Sequence, residues 1–179
     1  MRHEDRETAG MDGVNVTGKR LRYPVGIQTF SEIRTNGYVY VDKTPYIYDL
    51  VHWSGKAFFL NRPRRFGKSL LISTMQAYFE GRCDLFEGLA IVGLEGGEWE
   101  SHPVIRVDLS MVKTTDAGQL VELLDYTLAQ IEKVWGRDPD ANTPGSRLCG
   151  LINAVHGRTG KQVVVLVDEY DAPLLNVTH

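Results

Sequence analysis

The chain has 179 residues, of which 42% are apolar and 24% charged, with a net charge of −3. That is enough for one domain with a real core and short for two, and it excludes a wholly disordered or collagen-like chain. No apolar run approaches the roughly 20 residues that span a bilayer, and the opening MRHEDRETAG has no apolar signal core.

Charge is unevenly distributed. Residues 1–68 carry 12 Lys and Arg against 7 Asp and Glu, whereas residues 69–179 carry 8 against 16. Two solvated faces would give this pattern, and so would an anion site in the basic half. Cys83 and Cys149 lack metal-ligand spacing. They read as small apolar fillers in a reduced, cytoplasmic protein. The five histidines also lack ligand spacing.

Residues 1–20 are polar and aperiodic, and read as a flexible tail, with order beginning near Leu21. Thr29 and Glu32 have capping-box spacing and predict a short helix that Asn36-Gly37 ends. Tyr38-Val39-Tyr40-Val41 reads as a strand. Thr44-Pro45 reads as an N-cap and first helical residue, opening a helix to about Trp53; Asp42-Lys43-Thr44 thus caps a helix or, alternatively, touches a nucleotide. Ala57-Phe58-Phe59-Leu60 is continuously apolar and predicts a strand buried on both faces.

Residues 68–80 have helical spacing, with Gly81 as the stop. Val104 to Leu109 is a further strand candidate. Residues 117–135 give the longest amphipathic helix, with Leu120, Leu124, Leu128, Ile131 and Trp135 on one stripe. A helix from about Ser146 to His156 follows, then the buried-strand run Val163 to Val167. Trp53, Trp99 and Trp135 read as core or interface residues. Strands alternating with helices predict an α/β fold with a mostly parallel sheet.

Two segments carry the chemistry. The first is Leu60-Asn61-Arg62-Pro63-Arg64-Arg65-Phe66-Gly67-Lys68-Ser69, between a predicted strand and a predicted helix. It ends in the Gly-Lys-Ser of a phosphate loop, but Arg62 stands where the pattern's first glycine belongs. Amides at a helix start, aided by the helix dipole, suit a phosphate chain. Gly67 permits torsions and close approaches that a Cβ obstructs. Lys68 would reach the β- and γ-phosphates and Ser69 would ligate magnesium. The alternative is a solvated basic loop with a glycine turn, its arginines binding acids elsewhere.

The second segment is Val163 to Val167 followed by Asp168-Glu169-Tyr170-Asp171. A buried strand ending in adjacent acids has the Walker B form, and at its carboxyl end Asp168 would face the ligand crevice of an open α/β sheet. Asp168 would hold Mg2+ and Glu169 would accept a proton from an attacking water. The alternative is a strand that simply ends in polar turn residues.

Four stretches, PVGIQTF at 24–30, YVYVDKT at 38–44, LNRPRRFGKSLL at 60–71 and VVVLVDEYDAPL at 163–174, resemble the AAA-ATPase-like family of P-loop proteins. The resemblance covers residues 21–179 and implies one P-loop domain of three-layer α/β architecture. It implies ATP and Mg2+ as ligands, nucleotide contacts from residues 62–70 (Arg62, Pro63, Arg64, Arg65, Phe66, Gly67, Lys68, Ser69 and Leu70), and Asp168 and Glu169 as the Walker B pair. Arg62 departs from the general Walker A pattern but agrees with this family's own form. A nuclease-like C-terminal domain often accompanies the family and is expected to be absent here.

Only 11 residues follow Asp168. The sheet of such proteins places a further strand between the two motif strands, so the expectation is a fragment, a truncated product, or a piece completed by another chain. The leading functional expectation is an ATP-binding module that in complete form is an Mg-dependent ATPase. A non-hydrolysing interaction or regulatory module, docking a protein or nucleic acid on its basic face, is the alternative. A small-molecule kinase ranks third, since no acceptor site is identifiable.

Overall fold

The computed structural model describes residues 22–61, 63, 65–97, 99–110 and 117–170. The expected tail at 1–20, and positions Arg62, Arg64 and Asp171, lie outside the described residues. In chain order the helices are α1 (Phe30–Thr35), α2 (Thr44–His52), α3 (Lys68–Phe79) and α4 (Ala90–Leu94), with a 3-10 turn at Cys83–Phe86 before α4. Strand β1 (Val104–Asp108), helices α5 (Ala117–Trp135) and α6 (Pro144–Thr159), and strand β2 (Val164–Asp168) follow.

β1 and β2 pair in parallel, with Val104 opposite Val164 and Asp108 opposite Asp168. Alternation along β1 sorts its side chains between two faces. Ile105 and Val107 enter a core with Leu128 of α5 and with Leu151 and Val155 of α6. Arg106 turns the other way, onto Gln76 of α3. The α5 stripe read from the sequence is what packs here: Leu120, Leu124, Ile131 and Trp135 flank Leu128, which is 2% exposed. Burying a leucine to that degree contributes about 1.5–3 kcal/mol.

A second core joins α1, α2, α3, the 3-10 turn and α4 around Phe30, Ile47, Tyr78, Phe86 and Ile91. Phe86 is fully buried, and Phe30 and Trp99 both pack their rings against it, at 4.8 and 4.9 Å between centroids. Helix α3 contributes to this core through Tyr78 and reaches the sheet through Gln76.

Several expectations are corrected. Residues 57–60 join no ladder among the described residues, and Phe58 and Phe59 are 51% and 74% exposed rather than buried on both faces. An apolar run forms an interior strand only where ladder partners flank it; here Tyr170 holds the segment, its hydroxyl donating to the Leu60 carbonyl at 2.7 Å and its ring lying against Phe59. Tyr38–Val41 is also no strand, holding a single parallel bridge from Tyr38 to Arg22.

α1 starts after Thr29 as expected, but the Thr29 side chain makes no capping bond. α2 begins at Thr44, so Thr44 is inside the helix rather than its cap. Asp42 does the capping: its Oδ1 accepts from the Thr44 amide at 2.8 Å, and its Oδ2 accepts from the Ala90 amide at 2.8 Å, tying α2 to α4. Burial acts to raise the Asp42 pKa, but these hydrogen bonds outweigh it and leave the carboxyl below its ordinary value. Cys83 and Cys149 are exposed free thiols, not core fillers. Trp53 is 70% exposed and so is not core.

Candidate functional site

The basic loop and the acidic strand end meet. Gly67 precedes α3 with φ +75°, in the left-handed region, and no atom lies within 4 Å of where a Cβ would stand. Glycine enters that region at no steric cost. Arg65, two residues earlier, has φ +67° without that advantage. The Phe66 amide donates to the Pro63 carbonyl at 3.4 Å, closing a turn, and Leu71 bonds back to Gly67 at 3.0 Å, starting the helix. The positive end of α3 therefore faces this loop. Phe66 is 65% exposed, while Lys68 is 8% exposed and sets its ammonium 5.8 Å from the Tyr170 ring centroid. Leu70 is half-buried and packs toward the Phe30 core.

Ser69 lies one residue into α3, and its hydroxyl donates to Oδ1 of Asp168 at 3.3 Å. Asp168 is 2% exposed at the carboxyl end of β2. Its Oδ1 also accepts the Glu169 amide at 3.0 Å, and its Oδ2 accepts from Arg106 Nη2 at 3.0 Å. Glu169, half-buried, has φ +53°, so the chain turns sharply as it leaves the strand. Tyr170 then folds back on the segment before the basic loop, its ring tilted against Phe59 at 4.5 Å between centroids as well as bonding to Leu60.

Of the residues singled out from the sequence, Pro63, Arg65, Phe66, Gly67, Lys68, Ser69 and Leu70 form one loop and helix start. Asp168 stands against it through the Ser69 contact, and Glu169 follows it in the chain, its amide on the same Asp168 oxygen. Asp42 and Thr44 belong instead to the capping of α2. Arg106 and Tyr170 were not foreseen. A charged residue in the middle of the apolar stretch Val104-Ile105-Arg106-Val107 is the signal that could have found Arg106, because such a position demands a partner.

Ser69 and Asp168 bring two hard oxygen donors together. No group of three or more His, Cys, Asp or Glu side chains able to hold a metal occurs among the described residues. That donor set suits Mg2+, which takes one or two protein oxygens and leaves its other positions to water and phosphate, and does not suit zinc.

The fold and site thus define an α/β protein in which a glycine-opened helix faces the acid-ended carboxyl edge of a parallel strand. The chain belongs to the family described as predicted AAA-ATPase, which it matches over residues 24–179. It is also 39% identical over 159 residues to an "Uncharacterized protein in vnfD 5'region" of Azotobacter chroococcum mcd 1, a match covering 88% of this chain and 30% of that relative. No solved structure matches. No helix among the described residues is long and apolar enough to cross a membrane.

Proposed function

We propose that the chain is an ATP-binding P-loop module which, in the complete protein, forms part of an Mg-dependent ATPase of three-layer α/β architecture. The contact of Ser69 with Asp168, at the start of a helix entered through left-handed Gly67, carries this reading. Family membership supports ATP use. Lys68 would neutralise the β- and γ-phosphates while the backbone amides of residues 65–70 hold the chain of phosphates. Ser69 and Asp168 would hold Mg2+, which supplies charge neutralisation at the phosphates when bound. Glu169 would orient the water that attacks the γ-phosphorus in line and accept its proton as the bond to the β-bridging oxygen breaks, giving ADP and phosphate.

The chain spans 30% of the relative it matches, and among the described residues β2 has a strand on one edge only. We therefore take the sheet to be completed by a further strand, from the rest of a longer polypeptide or from another chain.

Isothermal titration of this chain with Mg-ATP tests the reading. Saturable binding that is lost in Lys68→Ala is the expected result; binding untouched by that change removes the phosphate-loop role. In an ATPase-competent form, Glu169→Gln should spare binding and lower turnover. Equal turnover would take Glu169 out of the reaction.

A further inference from the structure

We propose that Arg106 is a tethered counter-cation for Asp168 that sets how strongly the site depends on a divalent metal. The proposal takes its ligand from the nucleotide-binding reading above, but its premise is a contact within the chain. Arg106 is the third residue of β1 and lies on the sheet face opposite the Ile105 and Val107 core. A guanidinium in mid-strand under a helix is costly unless it is paired. Arg106 is paired twice: Nη2 donates to Asp168 Oδ2 at 3.0 Å, and Nη1 donates to Gln76 Oε1 of α3 at 3.3 Å. One side chain thus ties β1, β2 and α3 together around a single buried carboxylate.

The two oxygens of that carboxylate are divided between tasks. Oδ1 takes the Ser69 hydroxyl and the Glu169 amide, whereas Oδ2 takes Arg106. The Ser69 and Asp168 oxygens are therefore aimed at one another with no metal required to gather them. The same guanidinium stands beside any cation those oxygens would hold, and like charges a few ångströms apart in a partly buried site repel strongly. Arg106 is a positioning residue with two opposed effects. It preorganises the pair, and it lowers the advantage of Mg2+, so that nucleotide loads with a shallow dependence on the metal.

The test uses the full chain with a fluorescent ATP analogue, titrated against free Mg2+. Arg106→Gln keeps a hydrogen-bond donor and removes the charge; Arg106→Lys keeps the charge. We expect the half-saturating Mg2+ concentration to fall about tenfold or more in Arg106→Gln, the order expected for removing a nearby unit charge, and to stay at the parent value in Arg106→Lys. Equal midpoints in the parent and Arg106→Gln overturn the proposal.

A second arm needs no nucleotide. Millimolar MgCl2 should raise the melting temperature of Arg106→Gln by a few degrees, because an ion that binds only the folded state stabilises it. It should leave the parent and Arg106→Gln/Asp168→Asn unmoved. No rise in Arg106→Gln sinks the idea. Should the parent bind no nucleotide at all, the ATP reading fails by itself and this melting arm alone decides the role of Arg106. If Arg106→Gln does not fold, Asp168→Asn serves instead. Freed from its carboxylate, Arg106 should tighten binding of the analogue in EDTA relative to Arg106→Gln/Asp168→Asn, and equal affinities of those two chains overturn the proposal.

Discussion

Arg147 shows how much one buried charge can organise. It lies in α6, is 6% exposed, and grips α5 with its whole fork. Nε and Nη2 donate to the two Glu132 oxygens at 2.9 and 2.6 Å, and Nη1 donates to Asp125 at 2.5 Å. These hydrogen bonds hold the Glu132 carboxyl below its ordinary value of 4.5, against the upward push of burial. Removing one partner of such a pair leaves the other charge uncompensated, so Arg147→Met should cost about 3–5 kcal/mol in urea unfolding. Arg147→Met/Glu132→Leu should recover most of it. The sign of the acid response follows from the depressed carboxyl. The stabilisation from Glu132 is present in full above pH 4.5 and is lost as pH falls through the lower folded value. Urea midpoints measured below pH 4.5 should fall with acid in the parent, and this contribution should be missing in Arg147→Met. Nothing local in the sequence announces Arg147, whose partner is 15 positions away on another helix. The places of Gly67, Lys68 and Ser69 at a helix start and of Asp168 at a strand end were legible because short, fixed spacings mark them. The partners of Arg106 and Arg147 were not: the apolar neighbours of Arg106 signal that it needs a partner without naming Asp168, and Arg147, between Ser146 and Leu148, carries no such signal.

At the scale of elements, helices with a continuous apolar stripe were read closely, α5 at the bounds expected and α3 one residue shorter than the 68–80 expected. α5 runs Ala117–Trp135 as its periodicity requires, and α3 stops at Phe79 before Gly81, whose φ is +72°. Ends set by side-chain chemistry were read less well. α6 starts two residues before Ser146 because Thr143 and Ser146 form a reciprocal cap: the Thr143 hydroxyl accepts the Ser146 amide at 3.2 Å, and the Ser146 hydroxyl accepts the Thr143 amide at 2.9 Å. A serine in the place where the usual box has Glu or Gln hid this start. Thr143→Ala should therefore cost about 1 kcal/mol in urea unfolding, with the slope of the transition unchanged because the same surface is exposed on unfolding. Thr29→Ala offers the contrast. Thr29 has the sequence spacing of a cap but no capping bond in the structure, and its replacement should move the midpoint much less. The short α4 and the 3-10 turn were missed because elements of four or five residues are too brief to show a period.

At the scale of the whole molecule, the described residues form two apolar cores joined through α3, with a two-stranded sheet made by the pairing of β1 with β2. This explains why Val163 to Val167 read correctly as a strand while Ala57 to Leu60 did not. The valine run has β1 to bond with, and the phenylalanine run has no ladder among the described residues. Strand identity at 57–60 depends on a neighbour, and no local pattern can supply one. The same reasoning yields a test of the sheet's outer edge. The Val164 amide donates to the Pro103 carbonyl at 3.0 Å, toward β1. Alternation turns the Leu166 and Asp168 amides the same way and the Val165 and Val167 amides outward. If this edge awaits a further strand, hydrogen exchange followed by NMR should find Val165 and Val167 exchanging much faster than Leu166 and Asp168. In a longer form of the protein that supplies the strand, the two valines should become as slow as their neighbours. Slow exchange at Val165 and Val167 in this chain would mean the edge is already covered, and the case for an added strand, together with the three-layer sheet built on it, would fail.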